Sequence, residues 1–299
     1  MNLSLLPAWL PPILLSALFL GLYDVAKKHA VNGNPVLPVL FWCNLSGALF
    51  LLLVFACAGR LGDALACTPR EYALILIKAL IAGSSWFFVF SAMRELPISV
   101  AGPVGASSPL WVFLGGVLVF HEVPSLLQAL AMALIFAGYF LFAAFGRLDR
   151  IDWLRSRGVR ALFLGMLISA LSALYDKYLM NVLHLDFRKV QCYFALNLVL
   201  VLGIAASFRL LRRGSSAAPF RPRWSLAATG IFLIAADFCY FYAITLPEIR
   251  ISILALARRA SCIVSFGAGA LLFRERFLGR KLAALALILF GVALLALAR

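Results

Sequence analysis

Apolar residues in this chain come in long runs rather than in alternation. Ten stretches of about 20 residues, nearly free of charge, are separated by short breaks rich in Gly, Pro, Asn and Arg. A helix needs about 20 mostly apolar residues to cross a bilayer. The pattern therefore predicts spans at 9–30, 36–58, 71–93, 98–120, 125–145, 161–180, 189–208, 224–245, 249–273 and 277–298. Strands of a membrane barrel would alternate apolar and polar residues instead. Most breaks are short, such as Asn32-Gly33-Asn34-Pro35, Leu96-Pro97, His121-Glu122-Val123-Pro124 and Leu246-Pro247. Two are longer and basic. Residues 147–160 hold five Arg and two Asp, and residues 209–223 hold five Arg with Gly214-Ser215-Ser216 and Pro219.

Composition agrees with that reading. The chain is 64% hydrophobic and 13% charged, with a mean hydropathy of +1.01, whereas a soluble domain carries about 45–50% apolar and about 25% charged residues. The class is an all-α polytopic membrane protein, and its first partner is the lipid bilayer. A net charge of +15 would suggest nucleic acid in a soluble protein; here the basic residues are loop charges that orient the spans, and no nucleic-acid partner is expected. Loops after odd-numbered spans carry 17 Lys and Arg, while the opposite face and the ends carry seven. The bias puts the odd-loop face in the cytoplasm and both termini outside. The six cysteines have no metal-ligand spacing and mostly lie in apolar runs. They read as small core residues, and no metal or cofactor is expected. The start, MNLSLLPAWLPPILL, lacks a basic n-region, so no cleaved signal is expected.

The two halves of the chain repeat. Tyr23-Asp24 recurs as Tyr175-Asp176, Phe41-x-x-Asn44 as Phe194-x-x-Asn197, and Phe90-Ser91-Ala92 before Leu96-Pro97 as Phe241-Tyr242-Ala243 before Leu246-Pro247. Phe120-His121-Glu122 recurs as Phe273-Arg274-Glu275, and Gly138 as Gly291, with the offset held between 150 and 153 residues. Each half holds five spans, so the second enters the membrane from the opposite side. The expected architecture is two inverted five-helix repeats (5+5), residues 1–146 and 147–299. Inverted repeats are a signature of secondary transporters, with the site near the midplane between the halves.

The F-x-A-x-x-x-L-P end of span 3, and the acidic residue after span 4, resemble the drug/metabolite transporter superfamily. The 5+5 layout is similar to its ten-helix EamA-like members, over essentially the whole chain. The resemblance implies spans 1–4 and 6–9 around a central cavity, spans 5 and 10 outside it, and both termini in the cytoplasm, the reverse of the charge bias. It implies no substrate. One departure is that the glycine common before the acidic residue is here His121 and Arg274.

The repeat also sorts the candidate residues. Asp24 and Asp176 are symmetric; each is read either as half of a helix-end ion pair, Asp24 with Lys27 or Lys28, or as a proton-coupling carboxylate. Asn44 and Asn197 are symmetric and expected to join helices. Arg258 and Arg259 instead align with Gly105 and Ala106, Lys78 aligns near Thr229 and Gly230, and Asp237 near Ser85 and Trp86. A charge inside a span costs at least about 2.5 kcal/mol and faces protein or water. Arg258 shares a helical face with Ser261 and Ser265, the more polar one, and is the expected solute residue, helped by Lys78. Arg259 is expected to pair with Asp237 or a carbonyl; the competing reading has both arginines in structural ion pairs with Asp237 or Glu248. Trp86, Phe87, Phe88, Phe90, Tyr240 and Tyr242 are pocket candidates, though spacing alone favours packing. Gly102-Pro103 and Ser107-Ser108-Pro109 are candidates for opening span 4.

These residues predict a secondary active transporter of a small metabolite, expected to export it by alternating access, with protons coupled through Asp24, Asp176 or Asp237. Three cations inside the spans against one acid favour a solute with an anionic group, which Arg suits through its two-pronged donor geometry. The competing readings are a flippase of a lipid-linked phosphate or sugar and a non-transporting membrane assembly partner. An enzyme is disfavoured because no clustered His/Asp/Glu motif occurs. A bacterial inner membrane is the expected location; monomer and homodimer both remain open.

Overall fold

The breaks in the sequence end the helices by recognisable local chemistry. In the computed structural model, which describes residues 7–95, 108–144, 156–213, 220–246, 250–258, 260–261, 264, 283, 286–291 and 293–294, α1 spans Leu10–Val31 with Pro11 and Pro12 in its first turn. There their missing N–H groups cost nothing. It stops at Asn32-Gly33, where Gly33 takes a φ of 72°. α2 is Val36–Cys57 and α3 is Pro69–Glu95. A reciprocal cap starts α3: the Thr68 backbone N–H donates to Glu71 Oε2 at 2.7 Å and the Glu71 N–H to Thr68 Oγ1 at 3.3 Å. α4 is Ser108–Phe120 and α5 is Leu126–Ala144, the latter capped by the same exchange between Ser125 and Gln128. α6, Arg157–Lys177, begins at Ser156, whose Oγ accepts from the Val159 N–H, and runs on into a π-helical turn, Tyr178–Val182. α7 is Phe187–Arg213, α8 Trp224–Thr245, α9 Ile251–Arg258 and α10 residues 286–291.

Among the described residues every regular element is helical. Six segments are long and apolar enough to cross a membrane: Leu10–Val31, Val36–Cys57, Pro69–Ala92, Arg157–Val182, Phe187–Phe208 and Trp224–Thr245. Span 4 is described only from Ser108, span 9 mainly over Ile251–Arg258, and span 10 around 286–291; Gly102, Pro103 and Ser107 lie outside the described residues. Several boundaries differ from expectation: α3 is two residues longer at each end, and α7 runs on to Arg213, into the stretch expected to be a basic loop. α6 starts four residues early because Ser156 caps it, and α7 starts two residues before 189 because Asp186 Oδ1 takes the Arg188 N–H at 2.9 Å. A five-residue turn of helix, Leu61–Leu65, was not foreseen.

The helices associate in pairs. α1 lies along α8, and α3 lies along α6. α2 packs on α7 and α8, α7 also packs on α3, and α4 touches both α6 and α9. Between helices immersed in lipid, close approach rather than hydrophobicity drives association. Where α2 meets α8, a Cβ on Gly230 would stand 2.0 Å from the Cys43 carbonyl oxygen, so only glycine fits. α5 and α10 meet through Ile135 and Ile288 on the flank formed by α1 and α9. The main core joins α1–α4 and α6–α9 around Ile75, Phe90, Phe194, Phe241 and Leu254.

The turns tie the ends of the bundle. On the odd-loop face, Asn34 bonds the backbone of Arg221 in both directions and His29 meets Ser225 Oγ at 2.9 Å. On the even-loop face, Tyr193 donates to the Leu65 carbonyl and Asn181 to the Ile244 carbonyl.

Candidate functional site

Lys78 sits in the middle of α3 with only 2% of its side chain exposed. An ammonium there needs a partner, and Asp176 of α6, also buried, supplies it. The rings of Phe194 and Phe241 lie 4.3 and 4.9 Å from Lys78 Nζ and add the attraction of their π faces. A second pair lies beside the first. Arg258 Nη2 of α9 donates to Asp237 Oδ1 of α8 at 2.5 Å, and the guanidinium stacks 4.4 Å from the Tyr240 ring. The two pairs act on one another, since Asp176 lies within electrostatic reach of both Asp237 and Arg258. Arg258 Nε is buried and has no partner.

A narrow cleft of only about 10 Å³ lies toward the odd-loop face, lined by Tyr23 and Lys27 of α1, Asn44 of α2, Trp86 and Phe90 of α3, and Thr229 of α8, among others. Helical spacing relates its lining to the charges. Phe90, Trp86 and Lys78 fall on one stripe of α3, and Thr229, Leu233, Asp237 and Phe241 on one stripe of α8. Each stripe is uncharged at the cleft and charged at its deep end. Lys27 bridges to Asp24 at 2.6 Å and lies 4.4 Å from the Tyr23 ring.

The other end is closed by a different set of residues. α4 ends in a left-handed residue, His121 (φ 52°), and the Glu122 N–H returns to the Gly116 carbonyl at 3.2 Å. This return bond spans six residues, one more than the six-to-one bond of a Schellman ending, and closes the helix around a left-handed residue in the same manner. The turn folds Glu122 inward, where Oε1 accepts from Lys177 Nζ at 2.5 Å and from the Ile251 backbone N–H at 2.8 Å. The glycine expected before the acidic residue is thus a demand for positive φ, which His121 meets. Next to it, Arg250 Nη1 donates to Gln128 Oε1.

The sequence-based candidates come out as follows. Arg258, Lys78, Asp176, Asp237 and Tyr240 converge at one place, and Trp86 lines the cleft on the odd-loop side. Asp237 pairs with Arg258; Arg259, expected to pair with Asp237 or a carbonyl, lies outside the described residues, as does Ser265. Ser261 is buried and its carbonyl lies against Gly21 of α1. The excess of cations over acids shrinks from three against one to three against two, because Asp176 lies inside the bundle against Lys78. Asn44 bonds the Leu40 carbonyl of its own helix instead of joining two helices. Phe87 and Tyr242 are exposed, each more than 40%, and do not line the cleft. Glu122 and Lys177 were missed. The repeated Phe120-His121-Glu122 carried the signal, but nothing in the spacing gave Glu122 a partner.

Residues 8–144 match the EamA-like transporter family, part of the drug/metabolite transporter superfamily, whose members are membrane transporters. Among 29 matching solved chains, one titled "Crystal structure of protein" covers 96% of this chain and 96% of its own, with a TM-score of 0.75 at 17% identity. That likeness shows a shared fold. No curated protein matches the sequence.

Proposed function

Taking residues 8–144 as an EamA-like region of a multi-pass membrane transporter, we propose that the whole chain is a secondary active transporter of a small metabolite bearing an anionic group. In this reading it has ten spans in two inverted repeats, 1–146 and 147–299, and works by alternating access in a bacterial inner membrane. The exchange of packing partners supports the repeat: α1 with α8 mirrors α6 with α3, and α2 with α8 mirrors α7 with α3.

The observation that carries the solute assignment is the unpartnered Nε of Arg258. The four charges Lys78, Asp176, Asp237 and Arg258 balance formally, so the site attracts an anion through a specific donor rather than through net charge. A carboxylate or phosphate oxygen takes the free Nε–H and competes with Asp237 for the guanidinium fork. In this reading Asp237, released from Arg258, is the carboxylate that carries the coupled proton. That exchange couples solute to proton. Tyr240 holds the guanidinium plane in register.

Two measurements test this. Thermal unfolding of the detergent-purified protein against a panel of metabolites identifies a ligand, since a molecule that binds only the folded state raises stability. Flux of that ligand in proteoliposomes then compares the parent with Arg258→Gln. Loss of both stabilisation and flux is expected; unchanged flux of every accepted solute would sink the anion site.

A further inference from the structure

Glu122 makes no contact assigned to the solute donors, yet it is nearly as buried as Lys78, with 4% of its side chain exposed. Its carboxylate holds three helices at once: α4 through its own backbone, α6 through Lys177, and the N-terminus of α9 through the Ile251 N–H. A carboxylate at a helix N-terminus also gains from the helix dipole. Space for it is built in, because a Cβ on Gly116 would lie 2.8 Å from Glu122 Oε2. Arg250, which precedes α9, is tied to Gln128 at the start of α5. The even-loop mouth is therefore closed by polar contacts centred on one side chain, while the cleft lies toward the opposite face.

We infer that Glu122 is the locking residue of the even-loop mouth, and that it releases Lys177 and the α9 terminus when the transporter switches access. The inference rests on the alternating-access reading above. Its link to the site is short. Asp176 and Lys177 are consecutive on α6; one holds Lys78 at the solute site and the other holds Glu122 at the mouth. A rotation of the last turn of α6 that re-seats Asp176 also withdraws Lys177. The π-helical turn Tyr178–Val182 that follows directly is the kind of local widening that accompanies functional segments of helices. Arg258 lies two turns along α9 from Ile251, so the helix whose terminus Glu122 grips also carries the solute donor.

The test uses the full chain in proteoliposomes with its six native cysteines replaced and one probe added, Ser172→Cys, a buried position one turn deeper than Asp176. A membrane-impermeant maleimide is supplied at the even-loop face. Glu122→Gln is expected to raise the labelling rate about tenfold or more, the shift that follows from weakening a charge-assisted hydrogen bond, and Lys177→Met is expected to do the same. A rate unchanged by both overturns the inference. In a second arm, Gln128→Cys with Arg250→Cys is bridged by a short, reducible bifunctional thiol reagent. Flux and Ser172→Cys labelling are expected to stop and to return on reduction. Flux that continues through the fully bridged protein overturns the inference. Should Glu122→Gln fail to fold, the bridged arm decides. Should the parent move no solute, the transport reading fails and the labelling arm still reads the lock.

Discussion

Lys78 and Asp176, 98 residues apart in sequence, form a buried ion pair that joins α3 to α6. Each is too buried to stand alone. Removing one partner of a buried pair costs roughly 3–5 kcal/mol, whereas an apolar replacement of both is often neutral. Lys78→Ala and Asp176→Asn are therefore each expected to lower the thermal midpoint of the purified protein sharply. Lys78→Met combined with Asp176→Leu is expected to recover most of the loss while abolishing flux. A single variant as stable as the parent would mean that water reaches the pair.

Arg258→Lys separates charge from geometry. The ammonium can still pair with Asp237, so the midpoint without ligand is expected to change little. It lacks a second donor edge and stacks poorly on Tyr240. Ligand-induced stabilisation is expected to weaken by at least about tenfold in affinity, the loss of roughly one charge-assisted hydrogen bond. Equal affinity in the two proteins would remove Nε from the binding site.

Gly230→Ala tests the contact between α2 and α8. The new methyl would stand 2.0 Å from the Cys43 carbonyl and 2.7 Å from the Gly47 nitrogen, both backbone atoms that cannot turn aside. Overpacking of this kind costs typically about 1–3 kcal/mol, and the rigid neighbours favour the upper end. Unfolding of the purified variant in detergent reads it directly.

His121→Gly is expected to act in the opposite direction. His121 holds a φ of 52° at the end of α4, a conformation that costs an L-residue about 1–2 kcal/mol and glycine almost nothing. Glycine's greater freedom in the unfolded chain offsets part of that gain. A net stabilisation of up to about 1 kcal/mol is expected, with the Glu122 contacts intact.

The charge bias assigns the odd-loop face, where the cleft lies, to the cytoplasm. A reporter fused to the C-terminus and active only outside the cytoplasm is expected to give signal, and one active only inside is expected to be silent. The opposite pattern would favour the orientation implied by the family resemblance.

What the sequence determined by itself was the solvent and the local structure. Runs of about 20 apolar residues leave a chain in lipid no choice but to bond its backbone internally, so helices and many of their ends were readable from the Gly, Pro and Asn breaks, whereas the Thr68 and Ser125 caps came only with the structure. The repeat marked Lys78, Asp237 and Arg258 as charges without a twin, and that asymmetry led to the site. Partners were another matter. Whether Asp237 meets Arg258 or Arg259 depends on a 100° step around α9 and on how α9 leans against α8, which no spacing encodes. Asp176 and Lys177 stand side by side in sequence, yet the first reaches Lys78 and the second Glu122, because neighbouring helical residues point in different directions and different helices flank each one. Long-range pairing in a bundle is fixed by which helices touch, and those contacts rest on close approaches such as Gly230 on Cys43. Tertiary structure alone decided that Lys78 and Arg258 were already paired, that one donor of Arg258 was left over, and that Glu122 ties the even-loop ends of three helices.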